Sequence, residues 1–481
     1  MGNIITVDLG TTLIKCTLFE ESGTILAAES IPCRLSFPGP SYAEQDAEFW
    51  YTGVCDAIQK LVTVCNPKDI IGLSISSQGI SIVATDENFH PLQPAISWLD
   101  TRAEEECTTI SEVLPEESLF RRTGKFLSPC YTLPKLLWLK NHRTEVFSKA
   151  SKFLMPLDYL NACMTGQAVT DHTMAAGTMA YHIVNRSWDP ELLSLAGLTP
   201  EQMAEIRPAG ALVGYINSQT AALTGLLKGT PVFNGGQDQK VAAFAAGIDA
   251  VRGSLSLGTA GALEIFVTDA NNQSVLPFFP YILPEQTLVE CCINTTGAAI
   301  QWFKDTLAPE LSFDTLNALA SASPIGSHGI RFYPHLSRPG TPHHGRSEYG
   351  SLHGLSLGNS RGDLFRALYE GLAFEFRLNL ETAQRCGSIL RQLILFGGAS
   401  KSPVFCQIIA DVTGLEVLVS KNSEMSSIGA AKLVIHGLGQ DTSTFAEAAT
   451  GTLSIFTPDP CSISQYHSLY EQYLNIYQSE E

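Results

Sequence analysis

One short pattern occurs twice in the sequence, about half a chain apart: an apolar strand that runs into Leu-Gly-Thr. The first copy lies at 7–12 and the second at 253–261. An internal repeat at this distance predicts two domains built on one plan. The chain has 481 residues, which is enough for two such domains. We expect the boundary near 247–252, which gives domains 1–248 and 249–481.

The order of strand and helix patterns predicts the fold class. Alternating apolar residues indicate strands at 4–9, 14–19 and 24–28, with glycine or Gly-Thr turns between them. An amphipathic helix follows Asp46, a residue type that often caps helices, and another strand follows at 70–76. A meander followed by a helix and a strand predicts a mixed α/β domain with a partly antiparallel sheet.

Composition excludes several classes of protein. Hydrophobic residues make up 44% of the chain, which is enough to build full cores and rules out a mainly disordered protein. The formal net charge is −18, so the chain would repel a phosphate backbone, and we expect no nucleic-acid partner. No apolar run is long enough to span a membrane, no signal peptide is recognisable, and the scattered cysteines fit a reducing compartment. We therefore expect a cytoplasmic protein with no membrane partner.

Each Leu-Gly-Thr turn is a candidate phosphate-binding site. Glycine lets backbone N–H groups approach a phosphate closely, and threonine adds a hydroxyl donor. An ordinary hairpin turn is the alternative for either copy alone, but two copies, one in each domain, favour phosphate binding. The candidate residues are Gly10, Thr11, Thr12, Gly258 and Thr259.

Two charged residues beside the first turn extend this interpretation. Asp8 lies within an apolar strand, where a carboxylate is costly unless it meets a cation or hydrogen-bond donors. At the tip of a phosphate hairpin it is a candidate ligand for Mg²⁺. Lys15, on the second strand, is a candidate for neutralising phosphate, with a solvent-facing position as the alternative.

Asp238 is the candidate catalytic residue. It follows Gly235-Gly236-Gln237, between the end of a strand and the start of a helix. A carboxylate at this place is suited to take a proton from an attacking hydroxyl group. Aspartate also caps helices often, and the residue alone does not separate the two roles.

A third glycine site follows the apolar strand at 392–396. Gly397, Gly398 and Ala399 would let a nucleoside lie against the backbone, and a plain strand-to-helix loop is the alternative. The histidines His328, His335, His343, His344 and His353 match no known spacing of metal ligands, and they lie in a segment rich in Pro, Gly and Ser. We interpret that segment as an irregular loop rather than a metal site.

Together these motifs resemble the FGGY family of carbohydrate kinases over nearly the whole chain. The matching segments are Asp8-Leu9-Gly10-Thr11-Thr12, Trp98-Leu99-Asp100-Thr101-Arg102, Lys135-Leu136-Leu137-Trp138-Leu139, Gly235-Gly236-Gln237-Asp238, Gly258-Thr259, 350–354 with Leu355, Asp363-Leu364 and Ala367-Leu368-Tyr369-Glu370, and Gly397-Gly398-Ala399 with Ala410-Asp411. The resemblance implies two ribonuclease-H-like α/β domains, the fold of actin and Hsp70, with the site in an interdomain cleft.

The resemblance also implies a reaction, which is transfer of the γ-phosphoryl group of ATP, with Mg²⁺, to a hydroxyl of a free sugar. By the same resemblance Asp238 is the general base, and Gln78, Asp100, Arg102 and Asp238 contact the sugar. A ketopentose or ketohexose such as xylulose is the favoured substrate. The alternatives are a polyol such as glycerol or erythritol, and a non-catalytic or sensory ATP-binding protein of the actin-like fold. The oligomeric state stays open, with a homodimer as one arrangement.

Overall fold

The computed structural model describes residues 2–268, 276–283, 286–337, 339–343, 349–451 and 453–475. The chain begins with β1 (Asn3–Leu9), β2 (Leu13–Glu20), β3 (Ile25–Pro32), β4 (Glu44–Gln45), α1 (Ala47–Val62), β5 (Ile70–Ser77), β6 (Val83–Thr85) and β7 (Ala95–Ile96). A helix-rich stretch follows: α2 (Glu104–Val113), α3 (Glu116–Thr123), α4 (Thr132–His142), α5 (Thr144–Lys149), β8 (Lys152–Leu154), α6 (Pro156–Thr165), β9 (Val169–Thr170), α7 (His172–Ala176), β10 (Tyr181–His182), β11 (Ser187–Trp188), α8 (Pro190–Leu195), β12 (Glu205–Ile206), β13 (Leu212–Tyr215) and α9 (Ser218–Thr224).

The remaining elements start at the predicted catalytic motif. They are β14 (Pro231–Gln237), α10 (Asp238–Ala246), β15 (Arg252–Leu257), β16 (Gly261–Phe266), β17 (Phe278–Pro280), β18 (Thr287–Ile293), α11 (Gly297–Leu307), α12 (Phe313–Ala322), β19 (Arg331–Tyr333), β20 (Ser351–His353), α13 (Arg361–Arg385), β21 (Gln392–Phe396), α14 (Pro403–Thr413), β22 (Glu416–Val419), α15 (Met425–Gly437), α16 (Ser443–Thr450), β23 (Ser454–Phe456) and α17 (Pro460–Leu474). The predicted opening meander, helix and strand are confirmed as β1, β2, β3, α1 and β5.

The internal contacts of the chain divide it into two compact units. The first consists of Met1–Ala245, Phe278–Gln286 and Glu424–Thr450, and the second of Ala246–Pro277, Thr287–Ser423 and Gly451–Glu481. The division inferred from the sequence, 1–248 and 249–481, is linear, whereas these units exchange segments. The linear division stays a prediction.

The main sheets of the two units have the same topology. The first has the strand order β13-β14-β5-β1-β2-β3, and the second contains β23-β22-β21-β15-β16-β18 in that order. In each sheet the repeated hairpin is antiparallel and its first strand lies parallel to the next strand along. A further parallel strand and then an antiparallel edge strand follow in both sheets. The predicted pair of equivalent domains is therefore confirmed at the level of strand pairing.

Helix α15 covers one face of the first unit's sheet, although it lies far along the chain. Ile428 is fully buried, and Lys432 donates a hydrogen bond from Nζ to the carbonyl of Phe244 in α10 over 2.7 Å. A Cβ on Gly429 would lie 2.1 Å from the carbonyl oxygen of Val241, so this position requires glycine for the two helices to touch. This packing positions Glu424, which precedes α15, beside the first hairpin.

None of the helices in the described ranges is both long enough and apolar enough to cross a membrane. All twelve cysteines are free thiols, with no disulfide among them.

Candidate active site

The carboxyl ends of three neighbouring strands in the first unit carry several of the predicted site residues. Asp8 of β1 lies beside Ser76 of β5, and Ser76 lies beside Gly236 of β14. Two residues further along, β5 leads to Gln78 and β14 leads to Asp238. Ligands of open α/β sheets bind at this edge. The sheet therefore gathers Asp8, Gln78 and Asp238 at one edge.

Strand β14 contains an extra residue just before Asp238. Its register against β5 shifts between Phe233 and Gly236, which is the signature of a β-bulge. A Cβ on Gly235 would lie 1.6 Å from the carbonyl oxygen of Ile75, so only glycine fits at this point. Bulges redirect side chains near active sites. The glycines of this motif therefore set the direction in which the chain enters α10.

Asp238 begins α10, and its carboxylate is oriented by neighbouring groups. Its Oδ1 accepts hydrogen bonds from the backbone N–H of Gln239 and from Nε2 of Gln237, each over 2.8 Å. The backbone N–H of Gln237 in turn donates to Thr173 Oγ1 over 3.0 Å. The bond from Gln239 comes from the next residue in the chain, whereas a capping aspartate accepts from N–H groups two or three residues further on, as Asp46 does at the start of α1. The helix N-terminus also stabilises a negative charge at this position.

A closed set of hydrogen bonds joins the first Gly-Thr turn to Gln78. Thr11 Oγ1 donates to Gln78 Oε1 over 3.2 Å and accepts from Trp98 Nε1 over 2.8 Å. Gln78 Nε2 donates to Gln45 Oε1, and Gln45 Nε2 donates to the carbonyl of Thr11, each over 2.8 Å. The Thr11 hydroxyl therefore fixes the orientation of Gln78, the predicted sugar-binding residue.

Trp98 and Gln45 are members of this network that the sequence did not single out as site residues. The Trp98 side chain remains 38% exposed although its ring N–H is bonded, so it offers an open aromatic face next to Gln78. Such aromatic faces commonly bind the apolar side of a sugar ring.

Two further predicted residues, Gly10 and Thr12, also lie in the first Gly-Thr turn. The N–H of Gly10 donates to the carbonyl of Leu13 over 3.0 Å, and the side chain of Thr12 is exposed.

Asp8 lies among charged residues close to the turn of the same hairpin. Lys15 is directly across the hairpin from it, and Lys15 Nζ lies 2.5 Å from Glu424 Oε2. Burial, followed by the negative charge of Asp238, raises the pKa of Asp8 to about 7 in spite of the nearby positive charge of Lys15. Asp8 thus interacts with two further carboxylates, Asp238 and Glu424, and with one lysine. A further cation would relieve the repulsion between the carboxylates, and oxygen ligands suit Mg²⁺. Lys15 forms an ion pair with Glu424, a residue that the sequence alone did not indicate as part of the site.

Asp100 and Arg102 form a buried ion pair with all of their contacts to protein groups. The Asp100 carboxylate accepts from the backbone N–H of Ala43 over 2.6 Å and from Arg102 Nε over 2.9 Å. Arg102 also donates to Glu44 over 2.7 Å, and its guanidinium lies 3.8 Å from the centre of the Tyr42 ring. This pair anchors the segment that bears Trp98. Sugar contacts by Asp100 and Arg102 stay a prediction.

The second unit contains a cavity of about 900 Å³ at the corresponding sheet edge. Gly258 and Thr259 of the second hairpin and Gly398 and Ala399 of the third glycine site all line it. Four of the predicted nucleotide-binding residues therefore meet at one cavity within this unit. Further lining residues, which the sequence did not indicate, are Gly297, Gln301, Trp302, Phe313, Asn317 and Tyr369.

Glycine is required at two places around this cavity. Gly397 has φ of +100°, and a Cβ there would lie 2.8 Å from the carbonyl of Leu257. A Cβ on Gly297 would lie 2.3 Å from the carbonyl oxygen of Gly258, to which the Gly297 N–H donates over 2.9 Å. A Cβ on Gly398, in contrast, would meet no atom within 4 Å. Gly397 therefore shapes the turn, while Gly398 borders open space in the cavity.

A fixed amide provides polar recognition in the same cavity. Asn317 Oδ1 accepts hydrogen bonds from Tyr369 Oη and from Ser402 Oγ, each over 2.8 Å. These bonds set the orientation of the amide and leave its Nδ2 available as a donor. Phe313 and Trp302, which are 40% and 37% exposed, add apolar surface. An apolar cavity with a few placed polar groups is typical of a site for a nucleoside-sized ligand.

Comparisons with known proteins agree with this architecture. The model of the FGGY family of carbohydrate kinases, N-terminal domain, matches residues 3–245, and that of its C-terminal domain matches residues 253–438. The chain is 31% identical to the xylulose kinase of Bacillus subtilis (strain 168), over 99% of this chain and 97% of that protein.

Solved structures give the same result. The crystal structure of xylulose kinase from Rhodospirillum rubrum matches with a TM-score of 0.92 and 27% identity, covering 99% of this chain and 98% of that one. The gluconate kinase from Lactobacillus acidophilus matches with a TM-score of 0.91 and 25% identity, again covering 99% and 98%. Two ribonuclease-H-like domains, a paired set of Gly-Thr hairpins and two family models that together cover most of the sequence lead to one conclusion: this chain belongs to the FGGY family of carbohydrate kinases, which use ATP to phosphorylate an alcohol group.

Proposed function

We propose that this kinase phosphorylates a hydroxyl of a free ketose, with xylulose as the first candidate. The observation that carries the proposal is that Asp238 lies at the same sheet edge as Gln78, whose side chain is held by Thr11 and Gln45. The names of the relatives support the choice of sugar, because both the B. subtilis protein and the R. rubrum structure are xylulose kinases. The gluconate kinase match makes an aldonate the second acceptor to test.

In this proposal Asp238 acts as the general base toward the sugar hydroxyl. Gln237 and Gln239 hold one oxygen, Oδ1, of its carboxylate. Gln78, which is held by Thr11 and Gln45, hydrogen-bonds the sugar, and the exposed face of Trp98 packs against it. Phosphoryl transfer depends chiefly on positioning and on neutralising charge, and a network of fixed side chains provides the positioning.

The proposal places the nucleoside part of ATP in the cavity of the second unit. The fixed amide of Asn317 provides a hydrogen-bond donor, and the Gly258-Thr259 turn offers its backbone and hydroxyl to the phosphates. The apolar surface of Phe313 and Trp302 suits a flat base. A volume of about 900 Å³ accommodates a nucleoside with room for phosphates.

Replacing Gly398 with Val should raise the KM for ATP by about tenfold or more and leave the thermal stability unchanged. The new side chain would enter the cavity without meeting protein atoms, since the Cβ position is open. A tenfold loss of affinity corresponds to about 1.4 kcal/mol, which is modest for a side chain placed in a binding cavity. Steady-state kinetics and thermal unfolding measure the two effects.

Gly358→Val is the matched control for this experiment. Gly358 is exposed in the same unit, does not line the cavity, and its Cβ would lie 3.8 Å from Ser356 Oγ. The control should keep the wild-type KM. An unchanged KM in Gly398→Val would move the nucleotide elsewhere.

Mg²⁺ belongs to the proposal through Asp8. The residues present fit the ion, because a half-buried carboxylate with a raised pKa interacts with further carboxylates and lies beside a phosphate-type turn. When bound, Mg²⁺ neutralises charge on the phosphates that are transferred. The charge of Glu424 raises the pKa of Asp8, and that of Lys15 lowers it. A cytoplasmic location is part of the same proposal, because ATP is supplied there.

Turnover with a panel of acceptors and Mg-ATP tests the substrate proposal. We expect kcat/KM for a ketose, D-xylulose first, to exceed that for gluconate, glycerol and erythritol by at least tenfold. Pockets that hydrogen-bond their substrate distinguish acceptors by this amount or more. A higher kcat/KM for gluconate or for a polyol would overturn the ketose assignment. ATP binding without turnover on any acceptor would favour a sensory module instead.

A further inference from the structure

Two histidines and a glutamate come together inside the second unit, away from the nucleotide cavity. His335 follows β19, His343 lies on the irregular segment beyond it, and Glu375 lies in the middle of α13. All three side chains are buried, with exposures of 3%, 8% and 1%. One ligand atom from each lies within 4.8 Å of the others. His344, the neighbour of His343, lies outside the described residues.

Two nitrogen–oxygen distances within this cluster are close to the distance between two ligand atoms of one metal ion. Nε2 of His343 lies 2.8 Å from one carboxylate oxygen of Glu375, and Nε2 of His335 lies 3.7 Å from the other. Ligands bound tetrahedrally to Zn²⁺ at about 2.0–2.2 Å lie about 3.4 Å from one another. Side-chain movements on the order of 1 Å would place one ligand atom from each residue around a single ion, since the three atoms already lie within 4.8 Å of one another.

Surrounding groups support the carboxylate as outer-shell groups do in metal sites. Tyr473 Oη donates to Glu375 Oε1 over 2.6 Å. His343 Nε2 lies 2.8 Å from the other carboxylate oxygen, Oε2. Neighbouring groups therefore hold both oxygens of Glu375 in place, as the groups around a metal-binding carboxylate do.

Asn379 adds an independent observation one turn further along α13. It is fully buried, and its Oδ1 accepts no hydrogen bond from the described part of the chain. Its Nδ2 donates to the carbonyl of Thr341 over 2.8 Å and so links α13 to the segment that bears His343. Positions 375 and 379 share a helix face, so this unsatisfied oxygen lies on the side of α13 that faces the histidine segment.

We propose that His335, His343 and Glu375 form a binding site for a divalent transition-metal ion, with Zn²⁺ as its natural occupant. Two imidazoles and a carboxylate are the ligand set of many zinc sites, whereas Mg²⁺ prefers oxygen ligands alone. None of these three residues lines the cavity proposed for ATP, and Asp8, the proposed Mg²⁺ ligand, belongs to the first unit. The alternative is a buried hydrogen-bonded network with no metal affinity.

A metal here would fasten the segment around 334–343 to α13. Thr341 of that segment exchanges hydrogen bonds with Cys292 of β18 over 2.8 and 2.9 Å, and the carbonyl of Pro334 accepts from Thr295. The chain then continues from β18 to Gly297, which lines the nucleotide cavity. The ion would therefore stabilise the segment that packs against β18, the strand that leads to Gly297 in the wall of the cavity.

Titration of the full-length, chelator-treated protein with Zn²⁺ tests the site. Calorimetry should show one equivalent bound with a Kd of about 1 μM or tighter, and Zn²⁺ should raise the unfolding temperature in a way that EDTA reverses. Co²⁺ used as a probe should give the intense visible absorption of a four- or five-coordinate N/O site, without the thiolate charge-transfer band that cysteine ligation would add. These measurements on the wild type need no variant to fold.

Three variants and two controls locate the binding. His335→Gln, His343→Gln and Glu375→Gln should each weaken Zn²⁺ binding by about 100-fold and abolish the Co²⁺ spectrum. His328→Gln and His353→Gln replace exposed histidines of the same region and should bind as the wild type does. Absence of a tight equivalent in the wild type, a thiolate band, or unchanged binding in folded cluster variants would overturn the proposal.

Discussion

Replacing Asp238 with Asn should lower kcat by 10²–10⁴-fold while the affinity for the sugar stays within about tenfold. Removal of a general base typically has an effect of this size on the rate. Asparagine keeps the shape and still accepts hydrogen bonds from Gln237 and Gln239, so positioning is preserved. It cannot take the proton from the attacking hydroxyl. The split between kcat and sugar affinity, measured by steady-state kinetics and direct binding, is the signature of the base.

Asp46→Asn is the matched control, since Asp46 is a capping aspartate in the same unit. It accepts the backbone N–H groups of Glu48 and Phe49 at the start of α1, over 2.9 and 3.3 Å. Asparagine caps helices almost as well as aspartate, so this variant should keep both stability and activity. If Asp238→Asn behaves like the control, Asp238 is only a helix cap.

Neutralising Asp8 should have the second-largest effect. We expect Asp8→Asn to lower turnover at ordinary Mg²⁺ concentrations by at least about 10²-fold, because the charge that positions the ion with the phosphates is lost. The unfolding temperature of the nucleotide-free protein should not fall. The wild-type carboxylate is half-buried and lies near other negative charges, so removing its charge removes an unfavourable interaction. Activity and stability should thus respond in different directions.

Asp158→Asn is the control that separates the loss of a buried carboxylate charge from the loss of the proposed metal ligand. Asp158 is 1% exposed and lies in α6 of the same unit, and burial raises its pKa to about 7 as well. Its Oδ2 accepts from the backbone N–H of Met155 over 2.9 Å, so its role is local. This variant should alter stability and leave turnover near the wild-type value. Wild-type turnover in Asp8→Asn would remove the assigned metal role.

The sequence was most informative where the backbone itself makes the site. The two Leu-Gly-Thr hairpins were predictable because an apolar strand, a glycine and a threonine are neighbours in sequence, and both strand pairs form as expected. The double glycine before Asp238 was recognisable for the same reason, and the close contact of Gly235 with Ile75 explains it. Local patterns of this kind predict strands, turns and the fold class well.

Partners brought together by long-range packing could not be predicted in this way. Glu424 reaches Lys15 only because α15 packs on the first sheet, and the two residues are 409 positions apart. Asn317 gains its role from Tyr369 and Ser402, on two other elements. The proximity of Glu375 to His335 and His343 was not predictable, because Glu375 lies on α13, outside the spacing that ligand patterns describe. Whether the group binds a metal stays a proposal. No periodicity in a single sequence encodes such contacts.

The return of Glu424–Thr450 to the first unit affects how the protein can be synthesised. A ribosome completes residues 1–245 long before it reaches α15. At ordinary synthesis rates of about 5–20 residues per second, the interval between the two events is roughly 10–40 s. During that interval the sheet of β1, β5 and β14 exposes the apolar face that Ile428 and Val434 later cover. We therefore expect the nascent first unit to bind chaperones, and a fragment ending near residue 248 to keep this apolar surface exposed and to aggregate.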